Sequence, residues 1–284
     1  MNITVIIPAF NEEKALPLLK KKLDGLRNII LIDNFSNDNT YELSRSFGWT
    51  TYRFKNKGFS EDPDLIKFYL SKVSTEWIYI CRADEIPSDN LLKILKSNEI
   101  HDFHAIRVIR RNFLNGKRCY TWGLDYETPI FQKEYFIPSS DLFRLGYPGT
   151  FKKNTKIKVF SKKSSVFISH FIDYTPQGFF NAINKYSTLW SDYLLNNSKS
   201  NNYAYEESIF KNIIRNMRLK IYRNTFLNLI ALFLMPFLRF LLHFFIKGGY
   251  KSGLDGFISS MYMACEEIMI SLKCLTANNG WPKN

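Results

Sequence analysis

The chain opens on Ile3-Thr4-Val5-Ile6-Ile7, β-branched throughout and apolar on both faces, the pattern of a strand buried inside a parallel sheet. Pro8 is expected to end it. Leu16, Leu19, Leu23 and Leu26 then recur at helical spacing over residues 12–26, and residues 28–33 read as a second buried strand. Strand, helix, strand implies a right-handed crossover and a parallel sheet. The alternation continues with a helix at 40–47, a strand at 50–54, a helix at 64–72 and a buried strand at 77–81. Residues 105–110 and 156–160 read as strands of a more mixed region, with irregular chain from about 112 to 154.

From Pro176 the period changes: Phe179, Phe180, Ile183, Tyr186, Trp190 and Leu194 recur every three or four residues, up to an Asn/Ser-rich break at 196–202. Residues 226–246 form the most apolar run, 21 residues that would measure about 32 Å as a helix. Asn228, Arg239 and His243 interrupt it, with Pro236 near its middle. A central Arg costs roughly 2.5–3.5 kcal/mol on insertion scales, so a helix pair lying in or dipping into a membrane interface is favoured over a span. Gly248, Gly249, Gly253 and Gly256 predict a flexible connection to a last helix at 257–275. The pattern thus divides the chain into an α/β domain over 1–175 and a helical extension over 176–284.

Composition narrows the classes. With 284 residues, 45% of them hydrophobic, and only 13 Gly and 10 Pro, the chain can bury a sizeable core, which excludes collagen and disorder. Cys81, Cys119, Cys265 and Cys274 show neither a CxxC pair nor zinc-finger spacing, so a reducing compartment is expected. The first 13 residues lack a basic segment ahead of an apolar one, and a cytosolic amino terminus is the expectation. Lys and Arg outnumber Asp and Glu by 39 to 26, and the net charge of +13 calls for an anionic partner. Between Ser208 and Leu254 there is no acidic residue, whereas Lys211, Arg215, Arg218, Lys220, Arg223, Arg239, Lys247 and Lys251 fall there. Basic charge flanking an apolar run suits an anionic membrane surface, reached from the cytoplasmic side of the inner membrane as a peripheral or monotopic protein, and not a nucleic acid. The same segment buried at a homo-oligomer contact is the alternative.

In an open α/β sheet, ligands bind past the carboxyl ends of the strands. Three polar patterns stand there: Pro8-Ala9-Phe10-Asn11-Glu12-Glu13, Asp33-Asn34-Phe35-Ser36-Asn37-Asp38-Asn39-Thr40, and Arg82-Ala83-Asp84-Glu85. The first also reads as an ordinary strand-to-helix turn, and Asp38 or Asn39 as a helix cap. Asp33 is placed to accept hydrogen bonds from a base or ribose. The adjacent carboxylates Asp84 and Glu85 suit a hard divalent ion bridging a diphosphate.

Taken in this order and spacing, the three patterns resemble the nucleotide-sugar-dependent glycosyltransferases of family 2. The resemblance covers roughly the first 90 residues. Lys57-Gly58-Phe59 and Trp77-Ile78 are similar, more loosely, to the branch that builds lipopolysaccharide cores. It implies a GT-A fold, Rossmann-like with a mainly parallel sheet and a mixed acceptor side, followed by a membrane-associated helical extension. By the same resemblance Pro8, Ala9, Asn11, Glu12 and Ala83 line the donor nucleotide, Asp33 holds its base or ribose, and Asp84 holds Mn²⁺ or Mg²⁺ on the diphosphate. Arg82 stands where the family has the first acid of its DxD, so ligation rests on Asp84 with Glu85 and His170, while Arg82 itself faces the diphosphate. The donor is a nucleoside diphosphate sugar, UDP-linked first of all, and the acceptor a lipid-linked or lipopolysaccharide-type glycan. Inverting transfer needs a carboxylate base, for which Asp141, Asp125 and Glu127 stand on the acceptor side. The QxxRW signature of processive synthases is absent, which implies one sugar per encounter. The alternative is a catalytically impaired nucleotide-binding homologue with a regulatory or scaffold role.

Overall fold

The computed structural model describes residues 1–56, 62–97, 102–122, 125–138, 149–172, 175–196 and 209–279. They form two compact units, Met1–Phe113 with Leu124–Ile172, and Leu114–Gly123 with Asp173–Asn284.

In the first unit, strands β1 (Ile3–Ala9), β2 (Asn28–Asp33), β3 (Thr50–Arg53) and β4 (Trp77–Ile80) alternate with helices α1 (Leu16–Lys22), α2 (Thr40–Ser46) and α3 (Pro63–Lys72). β5 (Glu85–Pro87), α4 (Asp89–Lys96) and β6 (Ala105–Leu114) follow. After the two-residue β7 (Lys117–Arg118), which belongs to the second unit, come β8 (Asp125–Gln132), β9 (Phe136–Pro138), β10 (Gly149–Phe151), β11 (Ile157–Val159) and β12 (Phe167–Ile172). The main sheet is ordered β3-β2-β1-β4-β8-β6-β12-β5. The β3-β2-β1-β4 half is parallel, and β8 runs antiparallel to both β4 and β6.

Both faces of the parallel half are buried, as its apolar strands require. Val5, Ile7 and Ala9 pack with Leu16, Leu19, Leu23 and Leu91 on one face, while Ile6 packs with Leu65, Ile66 and Tyr69 on the other. The division follows from crossover handedness. Two steps in one direction, β1 to β2 to β3, put α1 and α2 on the first face; the step back to β4 puts α3 on the second. The order reverses between β1 and β4, so a crevice opens there at the carboxyl ends of the strands.

Three details differ from the expectation. β1 continues through Pro8, which pairs with Ile32. Pairing with β4 ends at Ile6, whose carbonyl accepts from Cys81, and backbone alternation turns the Pro8 nitrogen to that same, already unpaired side. Helix α1 begins four residues later than expected, because residues 12–15 form a turn ahead of Pro17, and it ends before Gly25 at φ 82°. The region read as irregular contains β8, inserted between β4 and β6. Its Pro129 is accommodated at a register shift opposite residues 106–108, where Arg107 Nε donates to Thr128 Oγ1 at 3.0 Å.

The second unit contains α5 (Pro176–Asn196), α6 (Ile209–Arg223), α7 (Thr225–Leu241) and α8 (Gly253–Asn278). α7 passes through Pro236 without a break and continues into a π-turn over Leu242–Ile246, so the expected helix pair is one helix. Thr225–Ile246, 22 residues with a mean hydropathy of 2.2, is long and apolar enough to cross a membrane. Its buried residues are small or polar, Asn228, Ala231 and His243 among them, whereas Phe226, Phe233 and Ile246 are 70%, 79% and 78% exposed. The glycines after it are a packing device and not a flexible connection. A Cβ on Gly256 would collide with the Gly249 carbonyl oxygen, and one on Gly249 would lie 2.8 Å from His243 O. α8 begins accordingly at Gly253.

Candidate functional site

The β1–α1 and β2–α2 loops are bound together by their own polar groups. Asn11 N donates to Ser36 Oγ (2.9 Å), Glu12 N to Thr40 Oγ1 (2.7 Å), Glu13 N to Asp38 Oδ2 (3.2 Å), and Asn37 N to Asn11 Oδ1 (2.9 Å). Two residues without the freedom of glycine, Asn11 and Phe35, take left-handed conformations here, φ 58° and 57°. Asp33 ends β2 fully buried, accepting from Ser36 N at 3.1 Å and lying 3.5 Å from Arg53 Nε. Pro8 and Ala9 close β1, and Ala9 is buried.

Past β4, Glu85 N donates to Arg82 O at 3.0 Å, turning the chain toward β5. Asp84 Oδ2 meets His170 Nε2 at 3.1 Å, and His170 Nδ1 meets Asn112 Oδ1 at 2.8 Å. Asp84 Oδ1 is shielded from solvent and has no hydrogen-bond partner. Burial opposes its charge, but His170, by hydrogen bond and charge, outweighs that with help from Arg110 and Arg82, and holds the Asp84 carboxyl below its usual range. Glu12 goes the other way: burial, with the negative charges of Asp84 and Asp38, pushes its carboxyl up to about 8. The charges of Asp38 and Asp84 are thus both felt at Glu12.

Arg82 and Glu85 take part in a separate buried cluster. Arg82 Nη1 lies 2.8 Å from Glu85 Oε1 and 2.9 Å from Glu127 Oε2. Arg110 Nε lies 2.9 Å from Glu85 Oε1, and its Nη1 3.5 Å from Glu127 Oε1. Two cations thus neutralise two anions, the condition under which such charges stay buried. The structure therefore brings Asp84 and His170 together but engages Glu85 with two arginines. Among the described residues no three His, Cys, Asp or Glu side chains form a metal-binding group. Ala83 is buried, Asp125 opens β8 in register with Arg110, and Asp141 and Lys57-Gly58-Phe59 lie outside the described residues. Sequence reasoning missed Arg110, Asn112 and Arg53. The signal was available for two of them: Arg107, Arg110, Arg111 and Asn112 interrupt an otherwise apolar strand.

An α/β sheet with acidic, polar loops at its strand-order reversal has the layout in which open α/β folds bind ligands. The family model described as glycosyl transferase family 2 matches residues 4–165, and the chain belongs to that family. No curated protein sequence matches it. Among solved structures it is similar to S. aureus TarS 1–349, at 13% identity over 99% of this chain and 92% of that one, TM-score 0.42. It is also similar to the mannosyltransferase PcManGT from Pyrobaculum calidifontis in complex with GDP-Man and Mn²⁺, at 14% identity over 96% and 87%, TM-score 0.48. A third is glucosyl-3-phosphoglycerate synthase from Mycobacterium tuberculosis with Mn²⁺ and UDP-glucose, at 18% identity over 40% and 44%, TM-score 0.29.

Proposed function

We propose that this family 2 glycosyltransferase moves one sugar, with inversion, from a nucleoside diphosphate sugar, UDP-linked first of all, to a lipid-linked or lipopolysaccharide-type glycan. Residues 1–175 form the catalytic domain on this reading, and 176–284 associate with the cytoplasmic face of an anionic membrane. The observation that carries it is the polar joining of the β1–α1 and β2–α2 loops past the sheet's strand-order reversal, with Asp33 buried at the end of β2 and the charges of Asp38 and Asp84 felt at Glu12.

The residues fit a divalent cation. Asp84 offers a shielded, unpartnered carboxylate oxygen that diphosphate oxygens and water would complete as a ligand set, and His170, bonded to the other Asp84 oxygen, would join it only as the neutral imidazole. When bound, the cation supplies positive charge to the leaving diphosphate. Asp33 accepts from the base or ribose, and Pro8, Ala9, Asn11, Glu12 and Ala83 line the nucleotide. Arg82, whose charge is matched by Glu85 and Glu127, would face the phosphate side from a fixed position. As the acceptor oxygen bonds to the anomeric carbon and the diphosphate departs, a carboxylate takes the acceptor's proton. Glu127 is held by two arginines, which supports Asp141 or Asp125 for that role. The membrane reading is supported by the outward apolar face of α7 and by the absence of acidic residues from 209 to 253.

The test is release of nucleoside diphosphate from UDP-, GDP- and dTDP-sugars, with Mn²⁺, with Mg²⁺ and with EDTA, in the presence of anionic vesicles. Turnover of at least one donor, lost in EDTA, is expected. Nucleotide binding without turnover of any donor would favour the impaired homologue, for which the arginine at position 82 is the specific observation.

A further inference from the structure

Phe35 has a backbone that its own packing does not explain. Its φ is 57°, a conformation that bulky L-residues rarely adopt, and glycine would take it without strain. Such strain is ordinarily offset by burial of the side chain, yet the Phe35 ring is 51% exposed. The conformation is imposed from outside the ring. Ser36 N and Oγ both donate to buried Asp33, and Ser36 Oγ in turn accepts from Asn11 N across the loops. The strain therefore holds a flat apolar surface in place beside Asp33, in contact with solvent.

Its surroundings are also ordered for stacking. Arg53 Cζ lies 4.0 Å over the Tyr41 ring and 6.0 Å over the Phe35 ring, while Arg53 Nε is 3.5 Å from Asp33 Oδ2. A planar cation thus links two aromatic rings to the buried carboxylate, and Arg53 itself is nearly half exposed.

We infer that Phe35 is the platform on which the donor's nucleobase stacks, and that it sets affinity for the nucleoside half of the donor without taking part in the transfer step. The inference rests on the transferase reading of this site. Base stacking on an aromatic side chain is worth a factor of about five to a hundred in affinity.

The test is calorimetric titration of the full-length protein with UDP, GDP, CDP and ADP, comparing wild type with Phe35→Gly and Phe35→Trp, and with pyrophosphate as a base-free probe. Phe35→Gly is expected to bind the preferred nucleotide about five- to hundredfold more weakly, with pyrophosphate unchanged and the melting temperature of the ligand-free protein equal or higher. Phe35→Trp is expected to retain the affinity. In turnover, Phe35→Gly raises the donor KM and leaves kcat. Nucleotide binding by wild type that Phe35→Gly leaves unchanged would overturn this inference alone, as would an effect confined to the acceptor KM. Failure of wild type to bind any of the four nucleotides would overturn the transferase reading together with it.

Discussion

In the α/β unit, apolar side chains fill both faces of the sheet and the polar groups gather at the strand ends, while in the helical unit polar groups are buried beside an apolar cluster and large apolar side chains stand exposed. There the buried groups include Glu267, Asn228 and His243, and the exposed ones Phe233, Ile246 and Leu254. Glu267 accepts from Tyr222 Oη and from Arg218 Nη2 at 2.7 Å, and Asn228 Nδ2 donates to Ser271 O at 3.2 Å, so polar contacts hold α6, α7 and α8 to one another. These polar pairs add specificity of packing to the apolar cluster of Leu194, Tyr222, Ile270 and Cys274. The contrast separates two uses of polarity: chemistry at an open crevice in one unit, assembly beneath a greasy surface in the other.

The comparison is most severely tested at Glu267. Glu267→Ala leaves Arg218 buried without its counter-ion and is expected to cost about 3–5 kcal/mol of the helical unit's stability, read by urea unfolding. An effect below 1 kcal/mol would show that the buried pair does not hold the helices. In the other unit, Asp84→Asn should lower kcat about a hundredfold, since it removes charge where the reaction develops it. Full-speed transfer by that variant would sink the proposed site.

Glu12 gives a pH test of the crevice. Its carboxyl, normally near 4.5, holds its proton to about 8 when folded, so the folded state binds the extra proton between those values. The stability it contributes is complete below about 4.5 and is lost as pH rises toward 8, with a slope of up to about 1.4 kcal/mol per unit. Glu12→Gln should flatten that slope in thermal melts; an unchanged slope would place the titration elsewhere. The smallest expected change in stability is on α7. Replacing Ile230, Phe233 and Phe237 by Ser alters exposed positions only, within about 0.5 kcal/mol each, yet should abolish retention on anionic vesicles. A large loss of stability would mean that this face is covered within the protein.

The parallel half of the sheet was legible because β1, β2 and β4 are apolar at consecutive positions, and the strand-end location of Asp33 and Asp84 followed from that topology. β8 was not legible, since Asp125-Tyr126-Glu127-Thr128-Pro129 carries no strand period and its Pro is tolerated only at a register shift set by β6. The engagement of Glu85 with Arg110 was hidden for a related reason: the partners are 25 residues apart and meet only through tertiary pairing. Helix α7 was read correctly as apolar, but hydropathy alone does not say which way its side chains face.

The excursion Leu114–Gly123 carries a practical lesson for anyone dividing this protein. Tyr120 N donates to Ser252 Oγ, the Thr121 and Ser259 hydroxyls are hydrogen-bonded, and the Thr121 carbonyl meets His243 Nδ1. A stop codon after Ile172 would strip that tongue of every one of these companions. The resulting fragment would present a sticky, half-made loop in the middle of its own sequence, and expression of the amino-terminal piece alone should give aggregates unless residues 114–123 are replaced by a short soluble turn.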